Sequence, residues 1–437
     1  MRTDTSRSRK QIWLAAIAVP PGLLFAFIIG VLAYTQATKT ALYADPHQVR
    51  SVSHSDPSPQ WAGSVEQSRQ RVRVSVAAQN LPGLSVAVGV DGAIVWAEGF
   101  GWANVENQVP VTPRTRFRAA DASRALTSAA VGLLLEKNKV QLDDPIQVHV
   151  PEFPGKAWPV TLRHLMAQVG GVTDYRGEEP LSADIISDEA RLVGRCERTV
   201  DALKMDDFAQ RELLFEPGTD YRPSSYGWIL VSAAVEAAAH EPFFSFMRTQ
   251  VFEPLNMHDT TVDVSSEAIP DRAAFYFPRF DVIAGIAGSL ATREPPRTRY
   301  GPKPARKGDY SCYAGAAAFL STPSDLVRFG MATSSSTLLQ PETIQRLQAQ
   351  QRLSSGKESG YGLGWELETA SLAGQSTRMA GHGSREGFTG ATTSFMTFPD
   401  RQLVIAVMAN ISFADTKSIA VNIAQAFEQA RPRGGSQ

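Results

Sequence analysis

Two hairpin patterns, one near each end of the chain, constrain the fold more than any other feature. LSVAVGV (Leu84 to Val90) and AIVWAEGF (Ala93 to Phe100) flank Asp91-Gly92, a pair suited to a two-residue turn that needs positive φ. Far downstream, ATTSFMTF and LVIAVMANI flank the turn PDRQ. Helical periodicity dominates elsewhere. Ala62 to Gln79 has helical character. Leu126, Ala130, Leu133 and Leu134 recur at helical spacing, which puts Asp121 near a helix N-terminus. Ala414 to Ala430 sets Ile419, Ile423 and Phe427 on one face, and roughly Pro145 to Met257 reads as helix and loop. Strand pairs from both ends with helices between predict an α+β fold: an antiparallel sheet built from the two termini, flanked by helices, with a mostly helical region inserted. The domain is expected over 61–430, without internal repeats, and 431–437 as a loose tail.

The first 60 residues follow another logic. Arg2, Arg7, Arg9 and Lys10 stand against one acid, Asp4, and the run from Gln11 to Tyr34 then carries no charge. That run exceeds the ~20 residues a helix needs to cross a bilayer. Basic residues on the short N-terminal side hold that end in the cytoplasm, so the remainder is expected to be exported. The expectation is a basic tail over 1–10, a transmembrane signal-anchor over 11–34, and a polar linker over 35–60 that lifts the domain off the membrane. Pro20-Pro21 leaves a shorter, cleaved signal with a core from Leu23 to Val31 as the alternative.

Composition excludes several functions. A formal net charge of −1 gives no electrostatic reason to expect nucleic acid as a partner. The seven histidines include no pair with Cys or His at ligand spacing, so no metal site is expected, and no cofactor is expected either. Export would put Cys196 and Cys312 in an oxidising space, where they are either a disulfide or two small buried hydrophobes.

A series of phrases identifies a family resemblance: LPGLSVAVGVDG, AVGLLLEKNKVQLDDP, VTLRHL, LLFEPGTDYR, PLNMHDTTVD, FLSTPSDLVRFG, YGLGW and GHG. Together they resemble the serine β-lactamase and penicillin-binding-protein-like hydrolases, in the branch of class C β-lactamases, D-Ala-D-Ala peptidases and esterases. The resemblance implies the β-lactamase/transpeptidase-like fold. It also implies three chemical clusters: a serine at a helix N-terminus with a lysine one turn on, a Tyr-x-Asn proton shuttle, and a Lys/His-x-Gly strand beside the oxyanion.

Each cluster is altered here. Asp121 stands for the serine and Arg124 for the lysine; a carboxylate is a far weaker acyl nucleophile, and arginine does not surrender its proton. Pro223, Ser224 and Ser225 occupy the Tyr-x-Asn positions, and proline has no proton to shuttle. His382 survives in the third cluster, but Ser384 replaces its last glycine. Ala316-Ala317-Ala318 replaces a glycine run before FLST, and its methyls are expected to narrow the space behind. No other serine is well placed to take over: Ser123 faces another side of the helix, Ser354 and Lys357 fall in a polar loop, and G-x-S-x-G is absent.

Asp121 and Arg124, three apart, are expected to form an ion pair on one helical face, turning a reactive dyad into a self-satisfied one. The expected function is a membrane-anchored, exported pseudoenzyme of the cell envelope, periplasmic in a Gram-negative cell. Asp121, Arg124, Tyr226 and His382 are its candidate binding residues. Through the resemblance alone, its ligand is a peptidoglycan-derived peptide or an envelope protein. The alternative is an active peptidase, β-lactamase or esterase using Tyr226, His382 or a shifted serine; a third reading is an assembly protein with no small ligand.

Overall fold

The computed structural model describes residues 41–54, 56–174, 194–205, 207–264, 268–278, 301–305, 308–335, 337–383 and 389–431, together with 22, 29, 30 and 33. In chain order the elements that matter are β1 (Ser51–Ser53), α1 (Ala62–Gln79), β2 (Gly83–Val90), β3 (Ala93–Asn104), α2 (Ser123–Glu136), α3 (Ser225–Ala239) and α4 (Pro323–Ala332). They are followed by β4 (Glu366–Leu372), β5 (Gln375–Gly383), β6 (Thr392–Phe398), β7 (Leu403–Ala409) and α5 (Thr416–Gln429).

Both predicted hairpins form. Asp91 and Gly92 take φ of 51° and 82°, the doubly positive geometry that matches the twist of the flanking strands. The sheet runs β1-β3-β2-β7-β6-β5-β4 with antiparallel neighbours throughout, and the two chain ends meet where Leu84 pairs with Ala409. The α+β architecture from both termini, with helices between, is as expected.

Both faces of the central strands are covered, so β2 and β7 read as continuous apolar runs rather than alternating ones. On one face Leu84, Val86 and Val88 pack with Val72 and Val76 of α1 and Ile419, Ile423 and Phe427 of α5. On the other, Ala87, Ala406 and Met408 meet Leu326 and Phe329 of α4. Small residues are required there: a Cβ on Gly89 would stand 2.6 Å from the Val327 side chain. Beyond α4 lies the helical region, in which α2 and α3 are apolar nearly all round and accordingly buried.

Two N-terminal expectations meet the structure differently. The anchor over 11–34 lies almost wholly outside the described residues; among those described, no helix is long and apolar enough to cross a membrane. Part of the expected linker is instead docked. Tyr43 is buried and donates to the Pro82 carbonyl at 2.7 Å, the Leu42 amide donates to Asn80 Oδ1 at 2.7 Å, and β1 adds an edge strand to β3. Its polar composition concealed this because an edge strand needs backbone pairing more than apolar side chains. The expected tail beyond 431 lies outside the described residues.

Cys196 and Cys312 form a disulfide. It ties the segment after residue 194 to the short helix Ala314–Ala317, which packs between α2 and α3.

Candidate functional site

The chain enters the site along a short strand, Phe117–Arg118, paired to Phe319–Ser321. Arg118 is buried and locked: its Nε donates to Asp263 Oδ2 at 2.6 Å, its guanidinium lies 3.7 Å over the Tyr310 ring, and it also donates to the Thr389 carbonyl. Ala120 then adopts φ +48°, a left-handed conformation that an alanine holds only where its surroundings over-determine it. A single 3₁₀ turn, Ala120–Ala122, delivers Asp121 to the start of α2.

Asp121 and Arg124 pair as expected, with Oδ1 and Nη2 2.9 Å apart. The arginine side chain is 4% exposed and the aspartate 17%, so the pair sits at the floor of the site. Arg124 Nη2 also donates to Ser225 Oγ at 3.3 Å, so two of the three altered clusters are joined by one guanidinium. Ser225 opens α3, whose N-cap is Ser224, accepting from the Gly227 amide at 3.0 Å. Pro223 lies exposed just before it.

His382 comes from β5, buried, and its Nε2 shares a 2.8 Å hydrogen bond with the Tyr361 hydroxyl. Burial first, and the Arg124 charge second, push its pKa down to about 3, so the ring is neutral. Ser384 lies outside the described residues. Ser123 is fully buried, and Ser354 and Lys357 are exposed in a turn.

Tyr226, expected to be a binding residue, is placed elsewhere. It has no exposed surface and stacks face to face on Phe208, centroids 3.9 Å apart, inside the helical core. Tyr221 takes the place in the site, its ring centroid 5.8 Å from that of Tyr361. Burial, with the charge of Glu366 next, raises the Tyr221 phenol to about 12, so it remains a neutral hydroxyl.

Tyr361 and Glu366 were missed as site residues, although both lie in or beside the quoted phrase YGLGW. Glu366 Oε1 stands 3.9 Å from His382 Nδ1. Burial and the neighbouring Asp121 raise its carboxyl to about 7, against the lowering effect of Lys417. The Ala316–Ala318 methyls are buried, and close approach falls to Gly315, where a Cβ would stand 2.2 Å from Thr127 Oγ1. Among the described residues no group of His, Cys, Asp and Glu could hold a metal ion.

Chemically the arrangement is closed upon itself. The guanidinium held at the nucleophile position is engaged by Asp121 and Ser225, and it does not give up a proton to act as a base. The imidazole is neutral, and its Nε2 is committed to a buried phenol.

The model of the family described as Beta-lactamase matches residues 68–428. The human mitochondrial serine beta-lactamase-like protein is 26% identical, over 85% of this chain and 81% of its own length. Penicillin-binding protein 4* of Bacillus subtilis is 25% identical, over 73% of this chain and 66% of its own. Among solved structures, FmtA of Staphylococcus aureus superposes with a TM-score of 0.63 at 16% identity, covering 83% of this chain and 90% of its own. The D-amino acid amidase of Ochrobactrum anthropi gives 0.62 at 20% identity, covering 81% and 96%. At such identities the superpositions speak for the fold alone.

Proposed function

The chain belongs to the beta-lactamase family, and on that premise we propose that it is a member that binds without hydrolysing. In this reading it is an exported pseudoenzyme, held at the membrane by residues 11–34, whose altered pocket receives a peptidoglycan-derived peptide or an envelope protein. One observation carries the reading: the Asp121–Arg124 contact of 2.9 Å, which puts an anion and a non-titrating cation where acyl transfer needs an alcohol and a base. Neither residue can launch the attack, and the second altered cluster supplies Pro223 where a proton must pass.

The envelope setting is supported by the uncharged N-terminal run and by the Cys196–Cys312 disulfide, which suits an oxidising compartment. The peptide ligand rests on the family resemblance; relatives of this chain include penicillin-binding proteins.

The test uses the full chain in detergent with a fluorescent penicillin, a chromogenic cephalosporin and nitrophenyl esters. No covalent label and no turnover are expected. A stable acyl adduct found by mass spectrometry would overturn the reading. Binding of muropeptides to the same preparation, absent in Arg124→Ala, separates a ligand-binding role from a purely structural one.

A further inference from the structure

A cavity of about 600 Å³ opens on the far side of Glu366, between the ends of β4 to β6 and the start of α5. Its walls include Phe413, Val421, Asn422, Ser394 and Gly383 beside Glu366. The charges around it are unequal. Lys417 is already spent on Glu368, at 2.6 Å. Asp415 caps α5 by accepting from the Ser418 amide at 3.0 Å. Among the described residues Glu366 forms no ion pair with a Lys or Arg, and His382 Nδ1, 3.9 Å away, belongs to a ring held neutral. That ring is 3% exposed, and its Nδ1 has only a marginal approach to the Gly383 backbone. Glu366 therefore stands at the cavity wall, with the buried ring nitrogen of His382 behind it.

We propose that this cavity is a binding site for a small organic ammonium ion, whose N–H groups are received by Glu366 while its apolar body lies along Phe413 and Val421. The sign follows from the balance of charge among the described residues that line the cavity: Glu366 and Asp415 outnumber Lys417, itself paired with Glu368, so a cation is drawn in. The aromatic ring of Phe413 adds a face suited to a cation or to the methylenes beside it. Phe413 itself holds φ +65°, a conformation a bulky side chain rarely adopts. Asp121, Arg124, Glu368, Lys417 and His382 all face Glu366 and set its proton affinity. An ammonium ion competes with that proton, so binding is coupled to pH.

The proposal rests on the cavity and not on the absence of hydrolysis, and the two are read separately: a penicillin adduct would leave this site standing. The experiment is calorimetric titration of the full chain in detergent with phenethylammonium, with neutral 2-phenylethanol and with anionic 3-phenylpropionate. Phenethylammonium is expected to bind best, and about tenfold more weakly at pH 6 than at pH 8 through linkage to a carboxyl near pH 7. Glu366→Gln should weaken it at least ~10-fold, the scale of one lost charge-assisted contact. Val421→Trp, which fills the cavity from α5, should abolish binding with the circular dichroism unchanged. Unaltered affinity in Glu366→Gln or Val421→Trp, tighter binding of the anion or the alcohol, or no binding of the amine would each overturn the proposal.

Discussion

Arg124 cannot shed its charge, so the residues around it must answer that charge or leave it stranded in the interior. Asp121 is its partner at 2.9 Å, and the aspartate in turn benefits from the N-terminus of α2. Replacing Asp121 with Asn keeps the shape and removes the charge. It should lower stability by about 1.5–3 kcal/mol, the range for a hydrogen bond to a charged group, read as a shifted urea midpoint. An unmoved midpoint would show that the pair contributes nothing. Protonation works on two neighbours in opposite senses. Burial holds His382 at about 3, below its ordinary 6.5, so the unfolded state binds more protons between those values and stability falls on acidification below pH 6.5. Glu366, raised to about 7 from 4.5, binds its proton better when folded, so stability falls as pH rises through that window. Between pH 4.5 and 6.5 the two slopes oppose each other. Glu366→Gln should therefore expose a steeper acid loss, and His382→Gln a decline toward neutral pH, both measurable by denaturation across pH. Parallel profiles for wild type and variants would refute the assignment.

The hairpins and the long helices were legible element by element because each is specified locally. Asp91-Gly92 dictates its own turn, and α1 spans the residues its pattern predicts. The candidate site was legible only where it too is local. Asp121 and Arg124 sit three residues apart across a 3₁₀ turn and the start of α2, so spacing alone foretold their meeting. Tyr221, Tyr361 and Glu366 arrive from separate segments, and no spacing rule connects them. The choice of Tyr226 over Tyr221 failed for a helical reason. Position 226 is already inside α3, where a step of about 100° per residue turns it from the site toward Phe208. Close packing between elements is equally invisible in one dimension. Gly315 brings its backbone against α2 and α3, donating to Ser232 Oγ at 2.9 Å and accepting from Thr127 Oγ1 at 3.1 Å. Gly315→Ala should cost about 1–3 kcal/mol by overpacking. Thermal denaturation would reveal it, and a Tm equal to that of the parent would mean that α2 and α3 part more readily than the contacts imply.

Across the whole molecule, the Cys196–Cys312 bond joins residues separated by 116 positions. Opening it enlarges the unfolded ensemble, so reduction should cost about 2–5 kcal/mol and lower the guanidinium midpoint. Thiol labelling of the denatured, unreduced chain should find no free sulfhydryl; two labels per chain would remove this support for an oxidising compartment. The closure of the sheet bears on when the chain can fold. Strand β2 pairs with β3 on one side, but its other edge waits for β7, with Leu84 opposite Ala409. A polypeptide made from its N-terminus carries that open edge until residues 403–409 have been added. Folding then belongs to the released chain rather than the nascent one, and a product cut short before Leu403 would display a raw strand to every protease and every neighbouring copy.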